Sequence, residues 1–159
     1  MTANSQFRYY FRVKYGECDP QKVVFNARYS DYVDAAFTEF VRALGFGQSF
    51  VNGNIDFQLI KLTLEWRSPA HFDQVLEASV YAKHLGNTSF TLTTEFRVAG
   101  TKEQLAIAET VYVFVNPSSL QKVPLPSDFR LALERGAPGL ATDHAEYSKT
   151  HNPDHTFLS

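Results

Sequence analysis

The chain holds a single cysteine, Cys18, so no internal disulfide can form, which fits a reducing compartment. No apolar run approaches the roughly 20 residues that a membrane-spanning helix requires. The opening stretch, Met1-Thr2-Ala3-Asn4-Ser5-Gln6, lacks the apolar centre of a secretory leader, and a cytoplasmic setting is expected. With 15 Lys and Arg against 17 Asp and Glu, a formal net charge of −2 offers no basic surface for nucleic acid. A glycine-rich phosphate loop is also missing.

Aromatic residues are plentiful. They make up 14% of the 159 residues and include 14 Phe, which suits a sheet-rich core or a pocket for an apolar ligand. The length suits one domain with a full core. After Asn26, apolar residues recur at Tyr29, Tyr32, Val33, Ala36, Phe37, Phe40, Val41 and Leu44. That spacing predicts an amphipathic helix over 27–44, roughly 27 Å long, with Asn26 as N-cap and Gly45 as C-cap.

Elsewhere the period is two. Residues 7–15 alternate as a half-buried strand, with Phe7, Tyr9, Phe11, Val13 and Tyr15 on one face. Further strands are expected at 58–67 (Ile60, Leu62, Leu64 and Trp66 on one face), 75–85, 88–98 and 104–115, separated by Pro69 with Asp73, Gly86-Asn87 and Gly100. The last strand is apolar on both faces, so it should lie inside the sheet with something, most simply a second subunit, covering part of its outer side. The economical arrangement is α+β: a five-stranded antiparallel sheet with one long helix against one face. A short helix is expected at 127–135. Residues 136–159 are polar and poor in apolar residues, which predicts a mobile or loosely docked tail.

Candidate chemistry gathers at residues 15–26. Asp19 precedes Pro20, which pushes it into an extended conformation at the entrance to a helix N-terminus, where unpaired N–H groups and the helix dipole can polarise a carbonyl. The competing reading is a solvated turn residue. Glu17 and Asp19, two apart in an extended run, would share a face and could share a proton. Cys18 has no histidine within 15–45 to activate it and reads as a packing residue. Glu39 falls near the apolar stripe of the helix, either as a functional carboxylate or as an edge residue facing solvent. Of the histidines, His144, His151 and His155 sit in the tail, where Pro153 breaks any helix that would present the last two to a metal. His71 lies in a turn. No metal site and no cofactor is expected.

The run Gly16-Glu17-Cys18-Asp19-Pro20-Gln21-Lys22-Val23-Val24-Phe25-Asn26-Ala27-Arg28-Tyr29 resembles the signature of the 4-hydroxybenzoyl-CoA thioesterase family of the hotdog fold. Arg67-Ser68-Pro69-Ala70-His71-Phe72-Asp73 resembles the Pro-Ala turn of that family, and Leu85-Gly86-Asn87-Thr88-Ser89 its hairpin. Residues 106–116, with Pro124 and Pro126, resemble its final strand and exit. The likeness spans about residues 7 to 135, and 1–135 is expected to be a single hotdog domain, its sheet wrapped around a central helix.

The resemblance implies hydrolysis of an acyl-CoA thioester by a homodimer or homotetramer with the site at the subunit interface. It implies Asp19 as nucleophile or general base and the backbone N–H near Asn26 as oxyanion donor. Phe25, Tyr29 and Lys22 are candidate substrate contacts; Phe46 and Phe50 are further aromatics that could line an acyl pocket or simply belong to the core. The sequence departs from the pattern at Glu17, where many members carry Asp, and at Lys22, where many carry Gly. If position 22 needs a positive φ, lysine is strained there; if not, its ammonium can reach substrate or CoA. A non-catalytic acyl- or CoA-binding module on the same fold is the alternative. A hydratase or dehydratase is disfavoured because 15–45 has no histidine.

Overall fold

The computed structural model of the chain describes residues 6–151 and 156–158. Its elements are strand β1 (Phe7–Arg12), helix α1 (Tyr29–Ala43), helix α2 (Gly47–Val51), strands β2 (Asp56–Trp66), β3 (Val75–Leu85), β4 (Ser89–Val98) and β5 (Gln104–Val115), helix α3 (Ser127–Arg135), strand β6 (Leu140–Asp143), helix α4 (Tyr147–Thr150) and strand β7 (Thr156–Phe157). The leader reading of residues 1–5 and the metal reading that involved Pro153 and His155 fall outside the described residues.

The helical periodicity is realised. Tyr29, Tyr32, Val33, Ala36, Phe37, Phe40 and Val41 are all buried, and Phe37 stacks on Tyr112 of β5 with ring centres 4.0 Å apart. The end of α1 is set by Gly45, whose φ is +95°. Its N–H donates to the Arg42 carbonyl at 3.0 Å, and the Phe46 N–H donates to the Val41 carbonyl at 3.1 Å, the two bonds of a Schellman motif. The start differs from expectation. A 3-10 turn, Asn26–Arg28, precedes α1, so Asn26 lies inside that turn and is not a side-chain N-cap.

The sheet order is β2-β5-β4-β3-β1-β6-β7. The first five strands are antiparallel neighbours throughout. The expected five-stranded antiparallel sheet is nevertheless incomplete: β6 pairs parallel with β1 and β7 parallel with β6, giving a mixed, seven-stranded sheet. The added strands come from the stretch whose composition predicts a tail. Few apolar residues suffice there, because β6 docks through backbone pairing to the free edge of β1. Ala141 is then fully buried, and Tyr147 stacks on Tyr10 at 4.7 Å, covering the outward side of β1.

Two strand readings are corrected locally. β1 stops at Arg12, because Tyr15–Glu17 curls into a 3-10 turn in which the Glu17 carboxylate accepts the Lys14 N–H at 2.8 Å. β2 carries a bulge between Leu59 and Lys61, which leaves Ile60 outside the ladder and breaks its alternation with Leu62, Leu64 and Trp66. At one end of the barrel-like wrap, Phe129 of α3 meets Phe46, Phe57 and Phe90. Phe50 packs edge-on to Phe57 at 5.2 Å. Phe46 and Phe50 are therefore core aromatics.

Candidate active site

Residues 18–24 fold into a tight hairpin. Cys18 and Val24 form an antiparallel bridge, the Asp19 N–H donates to the Val23 carbonyl at 2.9 Å, and the Lys22 N–H donates to the Asp19 carbonyl at 2.9 Å. Asp and Pro suit the first two positions of such a turn, and a left-handed residue, usually glycine, closes it. Lys22 fills that closing position with φ +63°, so the position does take a positive φ and lysine is strained there.

The hairpin docks on the loop after β2. Val24 N–H donates to the Ala70 carbonyl and Phe72 N–H to the Lys22 carbonyl, both at 2.9 Å. The Asp19 carboxylate turns back on its own loop: Oδ1 accepts the Gln21 N–H at 2.8 Å and the Val23 N–H at 3.4 Å. Its Oδ2 has no hydrogen bond among the described residues. A few residues on, the chain enters the 3-10 turn, where the Asn26 N–H has no acceptor among the described residues.

These contacts enclose a cleft of about 560 Å³. Asp19, Phe25, Asn26 and Tyr29 line it together, so four of the five residues proposed for the thioesterase site converge. Lys22 is exposed and stands outside the wall, between the wall residues Asp19 and Val23. The opposite wall, Trp66 through Ala70, was not singled out from composition or periodicity; its one signal was the Pro-Ala turn of the resemblance. Tyr29 is almost wholly buried, held edge-on by Tyr32, Trp66 and Phe96. Its hydroxyl has no partner among the described residues, and burial pushes its pKa up to about 12.

The other candidates fall elsewhere. Glu17 and Asp19 do not share a face, because the 3-10 turn breaks the extended run; Glu17 accepts the Tyr32 hydroxyl at 3.0 Å in a second cleft of about 880 Å³. The Cys18 thiol contacts the Lys14 carbonyl, and desolvation, then Glu17 and Asp19, push its pKa up, which disfavours a thiolate. Glu39 is buried rather than at a solvated edge, with Arg42 Nε at 3.2 Å and His144 Nε2 at 3.6 Å. His144 Nδ1 in turn meets the Tyr9 hydroxyl at 3.1 Å, and burial first, then Glu39 and Glu17, raise Tyr9 to about 12. His71 pairs with Val23 through its backbone and does not line the Asp19 cleft. The second cleft is larger, but the first is lined by Asp19 and Asn26, whose Oδ2 and N–H lack partners among the described residues.

Residues 13–133 match the thioesterase-like superfamily. The acyl-CoA thioester hydrolase YbgC of Escherichia coli O6:H1 is 31% identical over 121 residues, covering 76% of this chain and 90% of that protein. The structure of the gentisyl-coenzyme A thioesterase BH1999 superposes with a TM-score of 0.70 at 27% identity, covering 80% of this chain and 98% of that one. The PA5185 protein of Pseudomonas aeruginosa, at 22% identity, shares the fold with a TM-score of 0.77 over 85% of this chain and 94% of its own. With the hotdog fold in place and most of its length matched, the chain belongs to the thioesterase-like superfamily.

Proposed function

We propose that this protein is an enzyme that hydrolyses an acyl-CoA thioester to the free acid and CoA. The observation that carries the proposal is the cleft that Asp19 and Asn26 line together, with Asp19 Oδ2 and the Asn26 N–H both without a partner among the described residues. A thioester carbonyl bound there would direct its oxygen to the Asn26 N–H, where charge develops in the transition state. Asp19 then acts in one of two ways. As nucleophile it adds to the carbonyl carbon, expels CoA thiolate and leaves a mixed anhydride that water cleaves. As general base it takes a proton from water, which adds in its place; the tetrahedral species then expels CoA thiolate, which takes that proton from the Asp19 carboxyl. Phe25 and Tyr29 form the acyl side of the cleft. Support for the activity comes from the relatives, which are named as acyl-CoA thioester hydrolase and gentisyl-coenzyme A thioesterase.

The site would be completed by a second subunit, in a homodimer or homotetramer. β2 pairs on one side only and presents exposed Leu59, Ile60 and Trp66, and Trp66 is also a wall of the cleft. An exposed apolar edge strand is a template for pairing with another chain.

One observation favours the second reading, a non-catalytic acyl- or CoA-binding module: Asp19 Oδ1 holds its own loop together, as a purely structural residue would. Thiol release from a panel of acyl-CoA esters separates the two. Turnover of some ester supports the enzyme and names its acyl class. Binding of CoA esters without turnover of any supports the module.

A further inference from the structure

Among the described residues, four other than glycine have a positive φ: Lys22, Asp73, Leu120 and Glu146. Only Lys22 belongs to the hairpin that carries Asp19. A left-handed lysine costs on the order of 1 kcal/mol relative to a residue suited to that region, and glycine would remove the cost without altering any hydrogen bond of the turn. Strain kept beside a reactive group asks for a reason. Burial gives none, because the side chain is exposed. Pairing gives none either, since Lys22 Nζ has no ion pair or hydrogen bond among the described residues. The residue lies in the turn between Asp19 and Val23, both of which line the cleft. On the facing wall Arg67, about half exposed, makes only a loose 3.7 Å contact with Glu65.

We infer that Lys22 is a substrate-binding residue that anchors the phosphates of the CoA arm, with Arg67 of the cleft lining as the second cation. This deepens, and rests on, the thioesterase reading. CoA carries a diphosphate and a 3′-phosphate, whereas the protein as a whole has a net charge of −2, so binding of this polyanion depends on locally placed cations. An ammonium on a flexible stem outside the acyl cleft meets phosphate as a point charge and leaves the carbonyl to Asp19 and Asn26. The strain at position 22 is then the cost of placing a cation where the turn would favour glycine.

The test compares wild type with Lys22→Gly and Lys22→Gln on the same acyl group carried by CoA, by 3′-dephospho-CoA and by N-acetylcysteamine, which has no phosphate. Both variants should raise KM for acyl-CoA ~fivefold to tenfold at nearly unchanged kcat and flatten its salt dependence. Neither should change kinetics on the N-acetylcysteamine ester, and the 3′-dephospho ester shows which phosphate is held. Lys22→Gly alone should raise the melting temperature by a few degrees. An unchanged KM for acyl-CoA, or an equal loss on the N-acetylcysteamine ester, overturns the inference while the thioesterase reading stands. If wild type cleaves no thioester, that reading fails. Titration with CoA itself then decides: binding weakened in both variants upholds the phosphate anchor, and binding unchanged removes it.

Discussion

Asp19 serves two bonds with one oxygen and none, among the described residues, with the other. The two substitutions usually made at a carboxylate therefore ask different questions. Asp19→Ala removes the acceptor for Gln21 and Val23 and loosens the hairpin, whereas Asp19→Asn retains an acceptor oxygen and removes only the charge. Tyr29 is the opposite case, a buried hydroxyl with no partner among the described residues. Leaving such a group unsatisfied costs about 1–3 kcal/mol, so Tyr29→Phe should raise stability in chemical denaturation by part of that amount. A loss of stability would show that the hydroxyl has a partner. Asp19 was legible in the sequence from the proline and the helix start that follow it, whereas the Asn26 N–H, Phe25 and Tyr29 were singled out through the family resemblance; their lying in one continuous run explains why all four line one cleft. The pairing of Glu39 with His144 was not legible, since it depends on where residues 140–151 dock, and composition says nothing about a strand held by backbone bonds.

At the level of elements, α1 and the antiparallel strands announced themselves through period, and Gly45 through its place after the last apolar residue. What failed was local: the bulge at Ile60 and the turn at Tyr15–Glu17 interrupt a period-two pattern that reads as unbroken, and the 3-10 turn displaces Asn26 from the cap. The C-terminal segment was missed as an element altogether, although Asp143 organises it. Its carboxylate accepts the N–H groups of Ala145 at 3.0 Å, Tyr147 at 3.0 Å and Ser148 at 2.8 Å. Burial alone would raise the Asp143 pKa, but these bonds to Ser148, Tyr147 and Ala145 outweigh it, and the net shift is downward. The stabilisation is thus fully present above the ordinary aspartate value of about 3.9 and is lost as pH falls through the lowered folded value. In an NMR titration, the amides of Ala145, Tyr147 and Ser148 should move together with a midpoint below about 3.9. A midpoint at or above that value would contradict the capping role. Gly100 belongs to the same packing: it has φ +77°, and a Cβ there would come within 2.8 Å of the Tyr147 hydroxyl.

For the whole molecule, the two sides of the sheet end differently. Beyond β1 the edge is extended by β6 and β7, while beyond β2 it is open and apolar at Leu59, Ile60 and Trp66. Association of two chains through the open edge would close on itself, and the cleft beside Trp66 would then lie at that seam. Sedimentation should find two or four chains in wild type, and Ile60→Lys should shift the protein toward a folded monomer with reduced thioester turnover. A fully active monomer would refute the shared site. The resemblance covered this level in outline, because the order of elements is a property of the whole sequence, but no pattern within one chain reveals which edge a partner takes.

The central claim is that the Asp19 carboxylate does the chemistry. The most direct measurement is thiol release under single-turnover conditions for wild type and Asp19→Asn on the preferred acyl-CoA, with melting temperatures recorded on the same preparations. The expected result is a rate loss of at least roughly a hundredfold with little change in melting temperature, as befits loss of a group that acts in the transition state. A variant that turns over within a few-fold of wild type, equally stable, would make Asp19 a residue that shapes the loop and would contradict the mechanism.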